Sequence, residues 1–144
     1  MASDVAKMLS WDMIRRHEGF VAKPYQDSLG NWTIGYGRNL NNGISEAEAS
    51  MLAKNDIEHT IRMLDSMPWY SRLSNIRQAA LIDMAYNLGD TGFLRFTKTI
   101  LALKLGNYKT AAEEMLRSTW HKQVGERAKE IAYMIEHDKI KEVT

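Results

Sequence analysis

Apolar residues recur at Val5, Met8, Leu9, Met13 and Ile14, a three-and-four spacing that predicts a helix with one apolar face. Ser3 or Ser10 can cap its start, and Gly19 stops it after Arg15-Arg16-His17-Glu18. Between residues 24 and 40 the period changes. Tyr25, Trp32, Ile34 and Tyr36 suit strands and Leu29-Gly30-Asn31 suits a turn, which predicts a small antiparallel sheet. Gly35 and Gly37 leave room for close approach, either of a ligand or of a packed helix. Asn39 to Gly43 reads as a loop. Ser45-Glu46-Ala47-Glu48 has the form of a capping box. A long helix should follow, with apolar positions at Ala49, Leu52, Ile57, Ile61 and Leu64, ending near Met67-Pro68.

Beyond Pro68 the period is helical throughout. Ser74 to Leu88 is the most apolar run, with Ile76, Ala79, Ala80, Leu81, Met84, Ala85 and Leu88, and is expected to be the central core helix. Gly89-Asp90-Thr91-Gly92 breaks it. Short amphipathic helices are expected at about 93–105, 107–119 and 125–137, with Gly106 and Gly125 between them. The pattern predicts an α+β protein, mostly helical. A helix, a sheet lobe and a connecting helix fill about residues 1–66, and a larger helical lobe fills 67–144.

Composition narrows the chemistry. The chain has 144 residues, enough for one domain with a real core, or two small lobes sharing a helix. There is no cysteine, so no disulfide framework and no thiolate metal site. His17, His59, His121 and His137 are scattered, with no H-x3-H pair, which argues against a zinc amidase or peptidase. No metal or organic cofactor is expected. The first ten residues carry Asp4 and Lys7 and no long apolar run, so neither a signal peptide nor a membrane anchor is expected. Net charge is +1 but uneven. Residues 45–92 carry four Lys/Arg against seven Asp/Glu, and residues 93–144 carry ten against seven. The basic C-terminal part suits an anionic polymer, or is an ordinary solvated face. The excess is too small and mixed for nucleic acid.

The stretch that carries chemistry is Glu18 to Gly37. Glu18 ends the first helix, Asp27 precedes the Ser28-Leu29-Gly30-Asn31 turn, and Thr33 opens the strand Trp32-Thr33-Ile34. Glycoside cleavage needs one acid to protonate the leaving oxygen and a second carboxylate on the other face of the ring. A glutamate on a partly apolar helix end suits the first role and an aspartate in a polar turn the second. Thr33 can hold a water. A Glu and an Asp nine apart are by themselves weakly specific, since surface carboxylates are common and Asp before a Gly turn is often only a cap.

The full string is more specific. Glu18-Gly19, then Asp27-Ser28-x-Gly30-x-Trp32, then Thr33-Ile34-Gly35-Tyr36-Gly37 closely resembles the phage-type lysozymes, the endolysin family that includes those of the T-even phages. The resemblance continues through Tyr86-Asn87-Leu88-Gly89-Asp90-Thr91-Gly92 with Phe96, and through Ser118-Thr119-Trp120, Gln123 and Glu126-Arg127-Ala128-Lys129. It spans about Ser10 to Ile135. It implies a lysozyme-like fold with the active-site cleft between the two lobes, and Glu18, Asp27 and Thr33 as the catalytic trio. It also implies a muramidase that cleaves the β-1,4 bond between N-acetylmuramic acid and N-acetylglucosamine, with inversion; the chain shows no extra apolar stripe, so a monomer is expected.

By the same resemblance Tyr86 and Asn87 contact substrate, as do Asn39 and Thr99 by position, although their residue types differ. Trp120 is a core anchor or a lobe-packing residue, and is counted with the substrate-binding set; Arg127 is placed near Glu18. The resemblance further implies an enzyme made in a host cytoplasm that reaches the wall only with a holin-like membrane permeabiliser. With no apolar anchor seen in the first ten residues, no stable membrane association is expected. Three departures stand out: Arg38 follows Gly37 where many relatives have histidine, His17 precedes the catalytic Glu where the T-even enzymes have an acid, and the interval from the strand to Gly89 is shorter than in those enzymes. The rivals are a lytic transglycosylase, which needs one acid and no water, and a non-catalytic wall-binding module on the same fold.

Overall fold

A computed structural model of the chain describes residues 1–142. Its contacts divide it into two compact units, Met1–Ser50 and Met51 onward. The division falls inside the connecting helix rather than at its C-terminal end.

In the first unit, α1 spans Asp4–Glu18. Ser3 is its N-cap, its side chain accepting from the Ala6 N–H at 3.1 Å. Ser10 instead donates to the Lys7 carbonyl. The helix stops at Gly19, whose N–H reaches the Arg15 carbonyl at 3.1 Å. The expected apolar face is present in sequence but is not a core: no residue of α1 is buried, and Val5, Met8 and Leu9 are exposed.

Three strands follow, β1 Val21–Gln26, β2 Trp32–Gly35 and β3 Arg38–Asn39, antiparallel in the order β1-β2-β3. Tyr25 faces Thr33 and Gln26 faces Trp32 across the first pair, and Thr33 faces Asn39 across the second. The β1–β2 register is irregular between Val21 and Tyr25, the segment that holds Pro24. Proline has no N–H for a ladder, so the break falls where pairing would fail. The aromatic rings of Trp11 on α1 and Tyr36 meet edge to face at 5.1 Å, and Phe20 lies 5.8 Å from Tyr36. These contacts tie the helix to the sheet and fix where α1 ends.

The long connecting helix, α2, spans Glu46–Asp65 and ends slightly earlier than Met67-Pro68. Its start is the predicted capping box: the Ser45 N–H donates to Glu48 Oε1 at 2.9 Å and the Glu48 N–H to Ser45 Oγ at 3.1 Å.

The second unit is helical. The central core helix, α3, runs Asn75–Leu94 and buries Ala80, Leu81, Met84, Ala85 and Phe93. It is two helices joined by a kink at Gly89 (φ 76°, ψ 166°), at the break expected from sequence. Around it lie α4 Thr97–Lys104, α5 Tyr108–Arg117, α6 Thr119–Val124 and α7 Glu126–His137. The six-residue α6 was not anticipated. Ser118, which closes α5, also caps α6 by accepting from the His121 N–H at 3.2 Å, so a single residue separates the two helices.

Candidate active site

Glu18 is the last residue of α1 and is exposed, so the expected apolar surrounding is not built by the protein itself. Its carboxylate lies against the backbone of Gly37. A Cβ at position 37 would come within 2.8 Å of Glu18 Cδ, and φ there is +73°, a conformation that L side chains rarely adopt. Of the two roles open to Gly37, close approach of a helix residue is the one seen. Gly35 also has positive φ, +68°, but faces open space.

Asp27 closes β1 and is built into the turn that follows. Its Oδ1 accepts from the Leu29 N–H at 2.9 Å and the Asn31 N–H at 2.8 Å, and Oδ2 lies 3.5 Å from the Asn31 amide nitrogen. The backbone N–H of Asn31 holds the Asp27 carboxyl below the usual carboxylate range. Partial desolvation opposes it, and the Leu29 N–H and the Asn31 side chain add to the lowering. Asp27 therefore stays ionised, as expected of an aspartate in a polar turn.

Thr33, in the central strand, is 4% exposed. Its hydroxyl donates to the Asn31 carbonyl at 2.9 Å, which leaves its lone pairs as acceptors. Asn31 thus binds both neighbours, donating to Asp27 and accepting from Thr33. Asn31 is in turn held by Asn41, whose amide donates to Asn31 Oδ1 at 3.2 Å. Asn39 caps the short 3₁₀ turn Leu40–Asn42 by accepting from the Asn41 N–H at 2.8 Å. Asn31 and Asn41 were not singled out from sequence. The four-residue spacing of Asp27 and Asn31 across a Gly turn is the one signal that could have marked the first.

Arg38 forms a two-pronged pair with Glu48 at 2.5 and 2.8 Å. Hydrogen bonds from Arg38 and from Ser45 hold Glu48 down to about 2. The sheet's last strand is thereby tied to the first turn of α2.

The remaining candidates lie in the second unit. Tyr86 is 41% exposed. It lines a cavity of about 380 Å³ with His59 and Asp90, whose Nε2 and Oδ2 are 2.9 Å apart. Asn87 uses its Oδ1 to accept from Trp120 Nε1 at 2.8 Å. Trp120 is 3% exposed and meets Phe96 edge to face at 6.0 Å, which makes it a core anchor. Thr99 is 1% exposed and lines a separate cavity. Arg127 donates through Nε to Asp83 Oδ1 at 2.6 Å, so its charge is paired within its own unit.

The family model for phage lysozyme matches residues 15–134, most of the chain. The chain belongs to the phage lysozyme family. An endolysin of Acyrthosiphon pisum secondary endosymbiont phage 1 is 32% identical over 120 aligned positions, covering 80% of each chain. A probable T4-type lysozyme 2 of Dictyostelium discoideum is 25% identical over 162 positions, covering 91% of this chain and 95% of the relative. The pre-baseplate central spike protein Gp5 of Enterobacteria phage T4 is 26% identical over 92% of this chain but only 28% of its own length. As a phage lysozyme the chain is a lysozyme-type glycoside hydrolase acting on the cell wall, on an α+β fold. Among the described residues no cluster of His, Asp or Glu could hold a metal ion, and no helix is long and apolar enough to cross a membrane.

Proposed function

We propose that the chain is an endolysin muramidase, hydrolysing the β-1,4 bond between N-acetylmuramic acid and N-acetylglucosamine in peptidoglycan. Glu18 is the general acid, Asp27 the base and Thr33 a water-holding partner. The observation that carries this reading is Asn31's double hold on Asp27 and Thr33. It leaves an ionised carboxylate and a threonine oxygen whose own proton is already committed. Both are acceptors, and one water can donate a proton to each, leaving its lone pair free to attack muramic C1. As the C1–O bond breaks, Asp27 takes the water's proton and Glu18 gives its own to the departing O4. Attack from the face opposite the leaving group gives the α-anomer.

Tyr86, with its exposed ring, contacts the sugar chain in this reading, and Asn87 with Trp120 holds the helix end that carries it. Asn39, Thr99 and Arg127 complete the proposed substrate-binding set. In a host-lysis role, which the phage relative's name supports, a separate permeabiliser of the holin kind admits the enzyme, a monomer, to the wall.

Hydrolysis in ¹⁸O-water tests the chemistry. The reading expects label at C1 of new muramic acid ends, formed first as the α-anomer. Unlabelled anhydro-muramic ends would instead make the enzyme a transglycosylase.

A further inference from the structure

The two oxygens of Asp27 are not equivalent. Oδ1 accepts from the backbone N–H groups of Leu29 and Asn31. Among the described residues Oδ2 faces a single donor, the Asn31 side-chain amide, at the long distance of 3.5 Å. Oδ2 is therefore the less committed oxygen and the better placed to take a proton from water. The direction of the Asn31 amide is set from outside the turn. Asn41 donates its own amide to Asn31 Oδ1 at 3.2 Å. An asparagine side chain has one accepting end and one donating end. With its oxygen engaged by Asn41, Asn31 presents its NH2 group to Asp27. Without that partner the amide is free to turn over and set its oxygen against the carboxylate, which disfavours the charged form. Asn41 is itself anchored, its backbone N–H donating to Asn39 Oδ1 at 2.8 Å, and Asn39 faces Thr33 across the sheet. One line of contacts thus joins Asp27 to Thr33 through three asparagines.

We infer that Asn41 is a positioning residue of the hydrolysis, which acts through the Asn31 amide to orient Asp27 Oδ2 toward the attacking water. The inference rests on the muramidase reading, since it concerns the base of that reaction. Asn41 is exposed, and its link to Asn39 uses its backbone N–H. Asn41→Ala therefore removes the brace and leaves the turn's own hydrogen bonds in place. The backbone N–H of Asn31, the main hold that keeps the Asp27 carboxyl low, persists in every variant below, whereas the added lowering by the Asn31 amide does not.

The test is a double-mutant cycle on the full chain, with new muramic reducing ends counted on purified peptidoglycan across a range of pH. Wild type, Asn41→Ala, Asn31→Ala and the double variant are compared. Asn41→Ala should lower kcat by about 2- to 13-fold, the worth of one hydrogen bond, while KM holds. In the Asn31→Ala background the same substitution should cost nothing more, because the amide it acts through is gone. The acid limb of kcat/KM should move to higher pH in both single variants. A brace that served only the fold would lower Tm without moving that limb. An equal loss of kcat in both backgrounds, a rise in KM with kcat unchanged, or an unmoved acid limb would each overturn the inference. If the wild type itself released no muramic reducing ends, the muramidase reading would fail and take this inference with it, an outcome distinct from the other three.

Discussion

Asp27 and Glu18 are prepared by different means, and each means predicts a different failure. Asp27 is held by backbone N–H groups, which favour its charged form, so its folded value lies below the ordinary carboxylate value of 3.8. A depressed base stays ionised until the pH falls through that folded value. The acid limb of the kcat/KM profile that belongs to the base should accordingly lie below pH 3.8. A pH–rate profile whose base limb fell at pH 5 or above would contradict the assignment. Glu18 occupies space left by the absence of a side chain at Gly37. Gly37→Ala should strain the backbone by about 1–2 kcal/mol and displace the carboxylate. A displacement of 1 Å would lower kcat by roughly 10²-fold. Gly35→Ala meets the same backbone strain at φ +68° but open space, so it should lower Tm while leaving kcat nearly intact. Equal kcat for the two variants would sink the idea that Gly37 positions Glu18.

At the scale of elements, the junction of β3 with α2 is a single polar knot of Arg38, Ser45 and Glu48. Ser45→Ala should cost about 1 kcal/mol in denaturant unfolding, because one free N–H at the helix start loses its acceptor. Glu48 has its folded value lowered from 4.5 to about 2, so the stability it lends is fully present above pH 4.5. It is lost as pH falls toward 2. Glu48→Gln, which keeps a capping-box partner but cannot pair with Arg38 as an anion, should flatten that part of the acid-unfolding curve. An unchanged curve would show the knot to be inert.

The elements whose logic is local were legible in the chain: the Ser45–Glu48 box, the stop at Gly19, the break at Gly89 and the buried run through Leu81 and Met84. What was not legible depends on packing. The apolar spacing of α1 marked a helix, yet period alone does not say whether anything covers its apolar face. The α6 turn was hidden because Ser118 serves two helices at once. In the site, the order of Glu18, Asp27 and Thr33 stood out only through the family string. Asn31, Asn41 and the Glu18–Gly37 contact escaped because they arise when the turn folds back on the sheet.

For the whole molecule, the two units divide the work by composition. Residues 1–50 bury little beyond Thr33 and carry the proposed catalytic trio, whereas the unit from Met51 holds the apolar core. The first unit depends on polar knots and aromatic edges rather than on a core, and Glu18 at its helix end is exposed. The core unit presents Tyr86 at the cavity it lines with His59 and Asp90. This division makes loss of activity without loss of fold the expected signature of catalytic substitutions.

The most direct measurement is mass spectrometry of the products from purified peptidoglycan, wild type beside Glu18→Gln, with both proteins first shown to share one Tm. The wild type should release muropeptides ending in reducing muramic acid, and Glu18→Gln should release about 10²-fold less. Wild-type levels of the same products from Glu18→Gln would contradict the central claim, because the acid would then lie elsewhere.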